Sequence, residues 1–477
     1  MWIGTKRRRV TVRRPDSADN PTVHRKLLSM KCLSTLSCVL LTVFSCGLSV
    51  AGDRPPNVIM ILADDLGSID LHCYGAGDLE TPVLDRLAAR GVRFTQCYAA
   101  APVCSPSRAA FITGLYPQRA GVPGNVPRNN DGGMPSATRT AAEVFSAHGY
   151  AAGHVGKWHL GHHSSKIPNG QGFIESFGHL GGCIDNYSHF FYWHGPNEHD
   201  LWRDGKEVFH DGEYFPDLMA DDAIRFIDAH FEESFFLYWA LNTPHYPLQG
   251  ADKWRMRYEE LPFPRNMYAA FVSTTDEIVG RVLQHVEKRG LTNDTIIIFQ
   301  SDHGHSTEVR TFGGGGNSGP YRGAKFSLFE GGIRVPAIIS WPGKIPAGEV
   351  RDQLITACDW VPTAVALAGL KNDHMYDGRD ISFVIHAGET KTPHESFHWQ
   401  SGGGVLNPQW AVRRGDWKLI GNPKDTTEGA APLKIKRFLV NLRESVTERK
   451  NLAQQRPGMV LELEQLHHEW ARNVGHR

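Results

Sequence analysis

Four short apolar runs stop abruptly at polar clusters. Asn57-Val58-Ile59-Met60-Ile61-Leu62-Ala63 gives way to Asp64-Asp65, and Tyr150-Ala151-Ala152-Gly153-His154-Val155 to Gly156-Lys157-Trp158-His159. Phe235-Phe236-Leu237-Tyr238-Trp239-Ala240 gives way to Asn242-Thr243-Pro244-His245, and Thr295-Ile296-Ile297-Ile298-Phe299-Gln300 to Ser301-Asp302-His303-Gly304. Runs that are apolar at every position, rather than at alternate ones, belong to strands covered on both faces of a mostly parallel sheet. Helical patterns lie between them: Pro82–Arg90 closed by Gly91, Asp217–Glu232, and Met267–Arg289 closed by Gly290. Strand alternates with helix, which predicts an α/β fold with a large mixed, mostly parallel sheet sandwiched by helices. Ligands of such sheets bind at the carboxyl ends of the strands, where all four polar clusters fall.

The texture changes after Leu370. Trp410–Ile420 reads as two strands around a turn at Gly415-Asp416, Phe438–Leu442 as another, and Met459–Val474 as a closing helix. This predicts a small antiparallel-sheet subdomain over 371–477, following a main domain over 52–370. The run Gly313-Gly314-Gly315-Gly316-Asn317-Ser318-Gly319 reads as a mobile surface loop.

Composition narrows the class. The chain has 477 residues and formal net charge zero, so nothing global favours nucleic acid or a membrane surface. Residues 1–51 read differently. A basic arm (Arg7-Arg8-Arg9, Arg13-Arg14) precedes Met30-Lys31, an apolar run Leu33–Val43 and the small residues Ser49-Val50-Ala51, the layout of a secretory signal peptide cleaved near Ala51. Either Met30 is the start or the arm is an extended n-region. The run is short and carries Ser, Thr and Gly, so stable membrane insertion is not expected, and Val43-Phe44-Ser45 suits Cys46 poorly as a lipid acceptor. The periplasm or the extracellular space is the expected location. Past the leader stand Cys73, Cys97, Cys104, Cys183 and Cys358, an odd number that fits one cysteine with another task and the rest as disulfides or buried thiols.

Cys104-Ser105-Pro106-Ser107-Arg108 is the most informative stretch. Pro106 suits a first helical turn, Ser105 can cap, Ala109-Ala110-Phe111-Ile112 continues the helix and Gly114 ends it. Cys104 thus lies beside a helix N-terminus, which attracts anions. These residues, with Leu115-Tyr116-Pro117-Gln118-Arg119-Ala120-Gly121 after them, resemble the signature of the type I sulfatases, and matching motifs run from Asn57 to about Leu370. The resemblance implies an alkaline phosphatase-like fold. It also implies that a formylglycine-generating enzyme oxidises Cys104 to formylglycine, whose hydrate oxygen attacks sulfur. The second hydroxyl of that hydrate then loses a proton and expels sulfate.

The residues around the motif can be read beside the resemblance. Taken alone, Asp64-Asp65 is more often a strand-end turn than a ligand pair. Together with Asp302-His303 and an oxygen on residue 104, it makes an oxygen-rich set that suits calcium or magnesium better than zinc. The resemblance implies one calcium ion on Asp64, Asp65, Cys104, Asp302 and His303, the last where the family often has Asn. Gly156-Lys157-Trp158-His159-Leu160-Gly161 resembles a second signature, in which Lys157 neutralises sulfate charge and His159 serves the hydrate as a base. Thr243-Pro244-His245-Tyr246-Pro247 resembles the stretch whose histidine assists the leaving oxygen, a role suited to an imidazole. Lys325, within Arg322–Pro336, resembles the other sulfate-binding lysine. Arg108 would orient residue 104. Glu330 and Arg334 read as a structural pair, and His154, His162 and His163 carry no assignment.

The resemblance thus implies a sulfuric ester hydrolase acting on a sulfated carbohydrate. Two alternatives stand beside it: a phosphonate or phosphate monoester hydrolase of the same superfamily, and a non-catalytic secreted sugar-binding protein that keeps the fold. Tyr187, Phe190, Phe191, Tyr192, Trp193 and Trp202 could stack on sugars but read more readily as core. Glu308 and Arg310 are candidates for sugar hydroxyls.

Overall fold

The computed structural model describes residues 54–128, 131–192, 197–371, 373–387, 391–401 and 407–475. The signal-peptide reading, the basic arm and Trp193 lie outside the described residues. Residues 53–477 form one compact unit.

The central sheet has eleven strands. Its main members are β1 (Asn57–Ala63), β2 (Val92–Tyr98), β3 (Ala151–Lys157), β4 (Glu175–His179), β5 (Phe235–Ala240), β6 (Thr295–Ser301) and β7 (Arg334–Ser340). In space they run β2-β7-β6-β1-β5-β3-β4, with short strands at both edges. The pairings β6–β1–β5–β3–β4 are all parallel, and β7 is antiparallel to both β6 and β2. The expected mixed, mostly parallel sheet is therefore present. The unbroken apolar runs have the anticipated cause. Val58, Met60 and Leu62 of β1 face one hydrophobic layer, Ile59, Ile61 and Ala63 the other, and all six are fully buried.

Helices cover both faces, including α1 (Pro82–Ala89), α2 (Cys104–Thr113), α3 (Phe215–His230) and α4 (Arg265–Lys288). No helix among the described residues is long and apolar enough to cross a membrane. The C-terminal part is a four-stranded antiparallel sheet, β8 (Phe397–Ser401), β9 (Gln409–Arg414), β10 (Trp417–Gly421) and β11 (Arg437–Asn441), packed by α5 (Pro457–Val474).

Some details depart from the sequence reading. The signature reading stops at Pro336 and predicts no strand there, yet Arg334–Ser340 is the reversed strand β7. Its Pro336 falls at a register shift between Val335 and Ala337, where a missing N–H is tolerated. The glycine-rich loop is tied down. Asn317 exchanges backbone bonds with Ile69 N–H and the Asp70 carboxylate, and Gly315 carbonyl accepts from Arg265. All five described cysteines are free thiols.

Candidate active site

Four strand ends build the site. Because β1 and β6 pair in parallel with Ala63 opposite Ser301, the doublets Asp64-Asp65 and Asp302-His303 leave the sheet side by side. Asp302 N–H donates to Ala63 carbonyl (2.9 Å) and Asp65 N–H to Asp302 Oδ1 (3.1 Å). The segment after β5 joins them through Asp64 N–H to Thr243 carbonyl (3.0 Å), which brings in His245. The end of β3 supplies Lys157 and His159. Asp65, His159 and Phe326 adopt left-handed backbone (φ 61°, 56° and 71°), a cost that non-glycine residues bear mostly where geometry is functionally constrained.

Helix α2 delivers the cysteine. Cys104 is itself the first helical residue, and Ser105 does not cap. The Ser105 N–H is instead taken by Asn125 Oδ1 (3.1 Å), while Ser105 Oγ accepts from Val126 N–H (3.0 Å). Ser107 Oγ donates to Asp302 carbonyl, locking the helix to the end of β6. The Cys104 sulfur lies 3.3 Å from His303 Nε2 and 3.9 Å from Asp64 Oδ1.

Around it, charges are buried in matched sets. Lys157 Nζ is 2.6 Å from Asp64 Oδ2. Arg108 Nη2 is 3.4 Å from Asp64 Oδ2 and 3.2 Å from Asp302 Oδ2, and its Nη1 donates to Lys157 carbonyl (3.0 Å). Lys325 Nζ reaches Asp65 Oδ2 at 3.0 Å and Glu308 at 3.6 Å. Burial pushes Asp64 up, but Lys157, His245 and Arg108 outweigh it and hold the carboxyl below its usual range. Burial lowers His303, yet Asp302 and Cys104 carry it up to about 9. Burial also opposes ionisation of the Cys104 thiol, and Lys157, Lys325 and His303 overcome it, so the thiol lies well below its usual value. His159 is pushed down to about 4, chiefly by burial, and is neutral at physiological pH.

The donor set fits a cation. Ligand atoms of Asp64, Cys104, Asp302 and His303 lie within 4.8 Å of one another, and so do those of Asp64, Asp65, Cys104 and His245. His303 Nδ1 donates to Gly304 carbonyl (3.0 Å), which leaves Nε2 as the nitrogen turned to Cys104 and, once a cation displaces its proton, as the ligand atom. Asp65 Oδ1 is buried without a hydrogen-bond partner. His303 Nε2 is 3.5 Å from Asp65 Oδ1, which joins the two groups. His245 belongs to the second group by distance, but its Nε2 already faces the Lys325 ammonium (3.4 Å).

A cavity of about 260 Å³ opens onto this centre, lined by Cys104, His159, His245, Lys325, Asn125, Val126, Pro127, Arg128, Gly181, Gly182, Phe191 and Phe326. Lys157 and Arg108 lie behind this lining. His154 is a packing residue against Trp158 and Tyr238, His162 lies in the second layer, and His163 is exposed. Of the six aromatics considered, Phe191 lines the cavity. Tyr192 packs behind it, Trp202 bonds Asp200, and Tyr187 stacks on Tyr214. Asn125, Arg128, Gly182 and Phe326 were not singled out by sequence. Phe326 stands beside Lys325 in its signature, and the other three lie outside the quoted motifs.

The profile described as "Sulfatase" matches residues 56–370. The chain belongs to the sulfatase family. A second profile, "N-sulphoglucosamine sulphohydrolase, C-terminal", matches residues 323–463. The sulfatase is 36% identical to N-acetylgalactosamine-6-sulfatase of Canis lupus familiaris, over 74% of this chain and 70% of that one. It is also 36% identical to arylsulfatase A of Homo sapiens, over 80% and 77%. Among solved structures it resembles Ps i-CgsB in complex with κ-ι-κ-neocarrahexaose, with TM-score 0.77 and 29% identity, covering 87% of this chain and 93% of that one. It is thus an enzyme that hydrolyses sulfate esters.

Proposed function

We propose that this sulfatase desulfates a saccharide, using a formylglycine made from Cys104 and one calcium ion on Asp64, Asp65, Asp302, His303 and residue 104. The observation that carries the reading is the placement of Cys104. It starts a helix, touches His303 and Asp64, and lines a cavity onto which His159, His245 and Lys325 also open.

When bound, the calcium supplies positive charge that favours an ionised oxygen on residue 104 and offsets the charge of the sulfate. Lys325 adds a cation at the cavity wall. Lys157 and Arg108, from behind, keep Asp64 ionised, and Arg108 aims Asp302. His159, neutral and beside residue 104, takes up a proton from it. His245, across the cavity, serves the departing sugar oxygen. Two relatives support a saccharide: one named for N-acetylgalactosamine 6-sulfate, and one solved with a neocarrahexaose. Export past a leader ending near Ala51 fits the apolar run Leu33–Val43 and completes the reading.

The test has two parts. Mass spectrometry of the tryptic peptide bearing residue 104 should show aldehyde in place of thiol. Released sulfate, measured over a panel of defined sulfated oligosaccharides, should identify at least one substrate. Full activity with unmodified Cys104 overturns the nucleophile. Faster turnover of phosphonate than of sulfate esters overturns the substrate class.

A further inference from the structure

The part of the cavity lining around Gly181 and Arg128 is built on a buried carboxylate that the chemistry above does not use. Asp200 is fully buried. Its Oδ1 accepts from Leu180 N–H (3.1 Å) and Trp202 Nε1–H (2.8 Å), and its Oδ2 from Gly181 N–H (2.8 Å). Arg128 Nη1 stands 2.7 Å from the same Oδ2. One side chain therefore fixes both a strip of backbone and a guanidinium in the lining that Cys104 shares.

Arg128 is held from three sides. Its Nε donates to Glu198 Oε2 (2.7 Å), Nη2 donates to His199 carbonyl (3.1 Å), and the guanidinium carbon lies 5.3 Å from the centre of the Phe191 ring. A guanidinium has five N–H groups. Glu198, His199 and Asp200 engage three of its nitrogens through one contact each, which leaves donors to spare. The charge, by contrast, is more than matched. One cation faces two carboxylates, and His162 nearby is pushed down by burial and adds none. A site with spare donors and no spare charge suits an uncharged acceptor better than a second anion.

We propose that Arg128 reads the sugar that carries the scissile sulfate, by donating to an uncharged acceptor such as a ring hydroxyl or an acetamido carbonyl, and that Asp200 is the positioning residue that aims it. This rests on the reading of the site as a saccharide sulfatase. Phe191 lines the same cavity and lies against the guanidinium.

The measurement is a selectivity ratio, kcat/KM for N-acetylgalactosamine 6-sulfate over kcat/KM for 4-nitrophenyl sulfate, with glucosamine 2-N,6-O-disulfate and a sulfated neocarrahexaose run beside the first. Arg128→Gln should lower the ratio for the best saccharide about 10–100-fold, mainly through KM, since a lost donor leaves its acceptor unpaired. Asp200→Asn should lower it similarly, and the double variant no further than the single ones, because both act through one contact. Wild-type enzyme should prefer monosulfated sugars to the disulfated one. A residue that mattered only for folding would lower both substrates together and leave the ratio intact, and that result overturns the proposal. Should Arg128→Gln not fold, Arg128→Lys, which keeps the charge and loses the fork, decides the same point. A wild-type enzyme that cleaves the aryl sulfate but none of the saccharides overturns the saccharide reading itself and this inference with it, before any variant is made.

Discussion

The ammonium of Lys325 stands 3.4 Å from Nε2 of His245 while also reaching Asp65 Oδ2 at 3.0 Å. The imidazole's other nitrogen, Nδ1, is 2.8 Å from Tyr246 carbonyl, which can only accept. Nδ1 therefore carries a hydrogen, and Nε2 is the nitrogen turned to Lys325, through which a proton would reach the leaving oxygen. Burial opposes the lysine's charge, yet Asp65 and Cys104 hold its pKa well above the ordinary value. The pair thus links a proton donor, an imidazole and a carboxylate of the metal set along one wall of the cavity.

That link sets the first prediction. A sugar alkoxide is a strong base and needs a proton as it departs, whereas 4-nitrophenolate does not. His245→Ala is expected to cut kcat/KM on a carbohydrate sulfate by about 10²–10⁴-fold and to cost the aryl sulfate much less. Lys325→Ala should harm both, because it faces the sulfate that they share. Equal losses on both substrates for His245→Ala would return this histidine to a role in holding its loop.

Asp302→Ala should release the metal. Asp64, Asp65 and Asp302 converge among Arg108, Lys157, Lys325 and His303, and Asp302 is already pushed up to about 7, first by burial and then by Asp64 despite the opposing pull of His303. Removing its oxygens takes away a ligand and the partner of Arg108 Nη2. Elemental analysis of the purified variant should find less than one tenth of the wild-type calcium, about, with turnover down by at least about 10³-fold. Stoichiometric calcium with normal turnover would remove Asp302 from the ligand set.

Much of this centre was legible in the sequence, and the reason is local. Asp64-Asp65, Lys157-Trp158-His159 and Asp302-His303 each follow an unbroken apolar run, so the strand and its terminal chemistry sit in one window. What escaped reading depends on closure of the chain. Asn125 accepts from Ser105 N–H at the start of the helix, where the sequence reading offered Ser105 as the cap, and Asp200 meets Arg128. Strand β2 escaped for another reason. Val92–Tyr98 carries Arg, Thr and Gln at half-buried positions, so its pattern is diluted. Strand β7 was hidden by Pro336, which breaks the expected pattern and is accommodated by a bulge.

Gly182 gives a sharper prediction about the wall. A Cβ there would stand 2.9 Å from Cε1 and 3.1 Å from Nε2 of His159, inside ordinary contact distance. The ring must turn or the backbone must shift, while His159 N–H stays bound to Leu180 carbonyl (3.2 Å). Gly182→Ala should therefore lower kcat by about 10–100-fold on both substrate types, the scale of misplacing a proton-transfer group. Thermal stability should change little, since the strain falls on a side chain facing a cavity. Wild-type kcat in that variant would show that the placement of His159 is not critical.

The last prediction concerns how the two sheets are joined. Lys418 of β10 is fully buried between Glu330 (2.8 Å) and Glu448 (3.0 Å). Glu330 also accepts from Tyr98 of β2 (2.5 Å), lies 3.4 Å from Arg334, and offers its backbone N–H to Glu448 Oε2 (2.6 Å). Arg413 of β9 completes the seam by donating to the Tyr98 hydroxyl. Two carboxylates share one buried ammonium, so they cannot be equally content. Burial raises both, but Lys418, Arg334 and Arg413 bring Glu330 down to about 2, whereas Glu448, less well compensated and repelled by Glu330, is carried up to about 7. The signs follow from comparison with an ordinary carboxyl near 4.5. Glu330 contributes stability that is present above 4.5 and is lost as pH falls toward 2. Glu448 binds its proton more tightly folded than unfolded, so its contribution declines as pH rises from 4.5 to 7 and is flat above that. Lys418→Met should destabilise the fold by about 3–5 kcal/mol at neutral pH, because it strands buried charge. Glu448→Gln should instead make stability less dependent on pH between 5 and 8, measured as the shift of the denaturation midpoint in saturating calcium, which keeps the metal ligands from titrating. The wild-type midpoint should fall more over that interval than the variant's. Equal falls in both proteins would mean that Glu448 is ionised throughout, and that Lys418 holds both carboxylates charged.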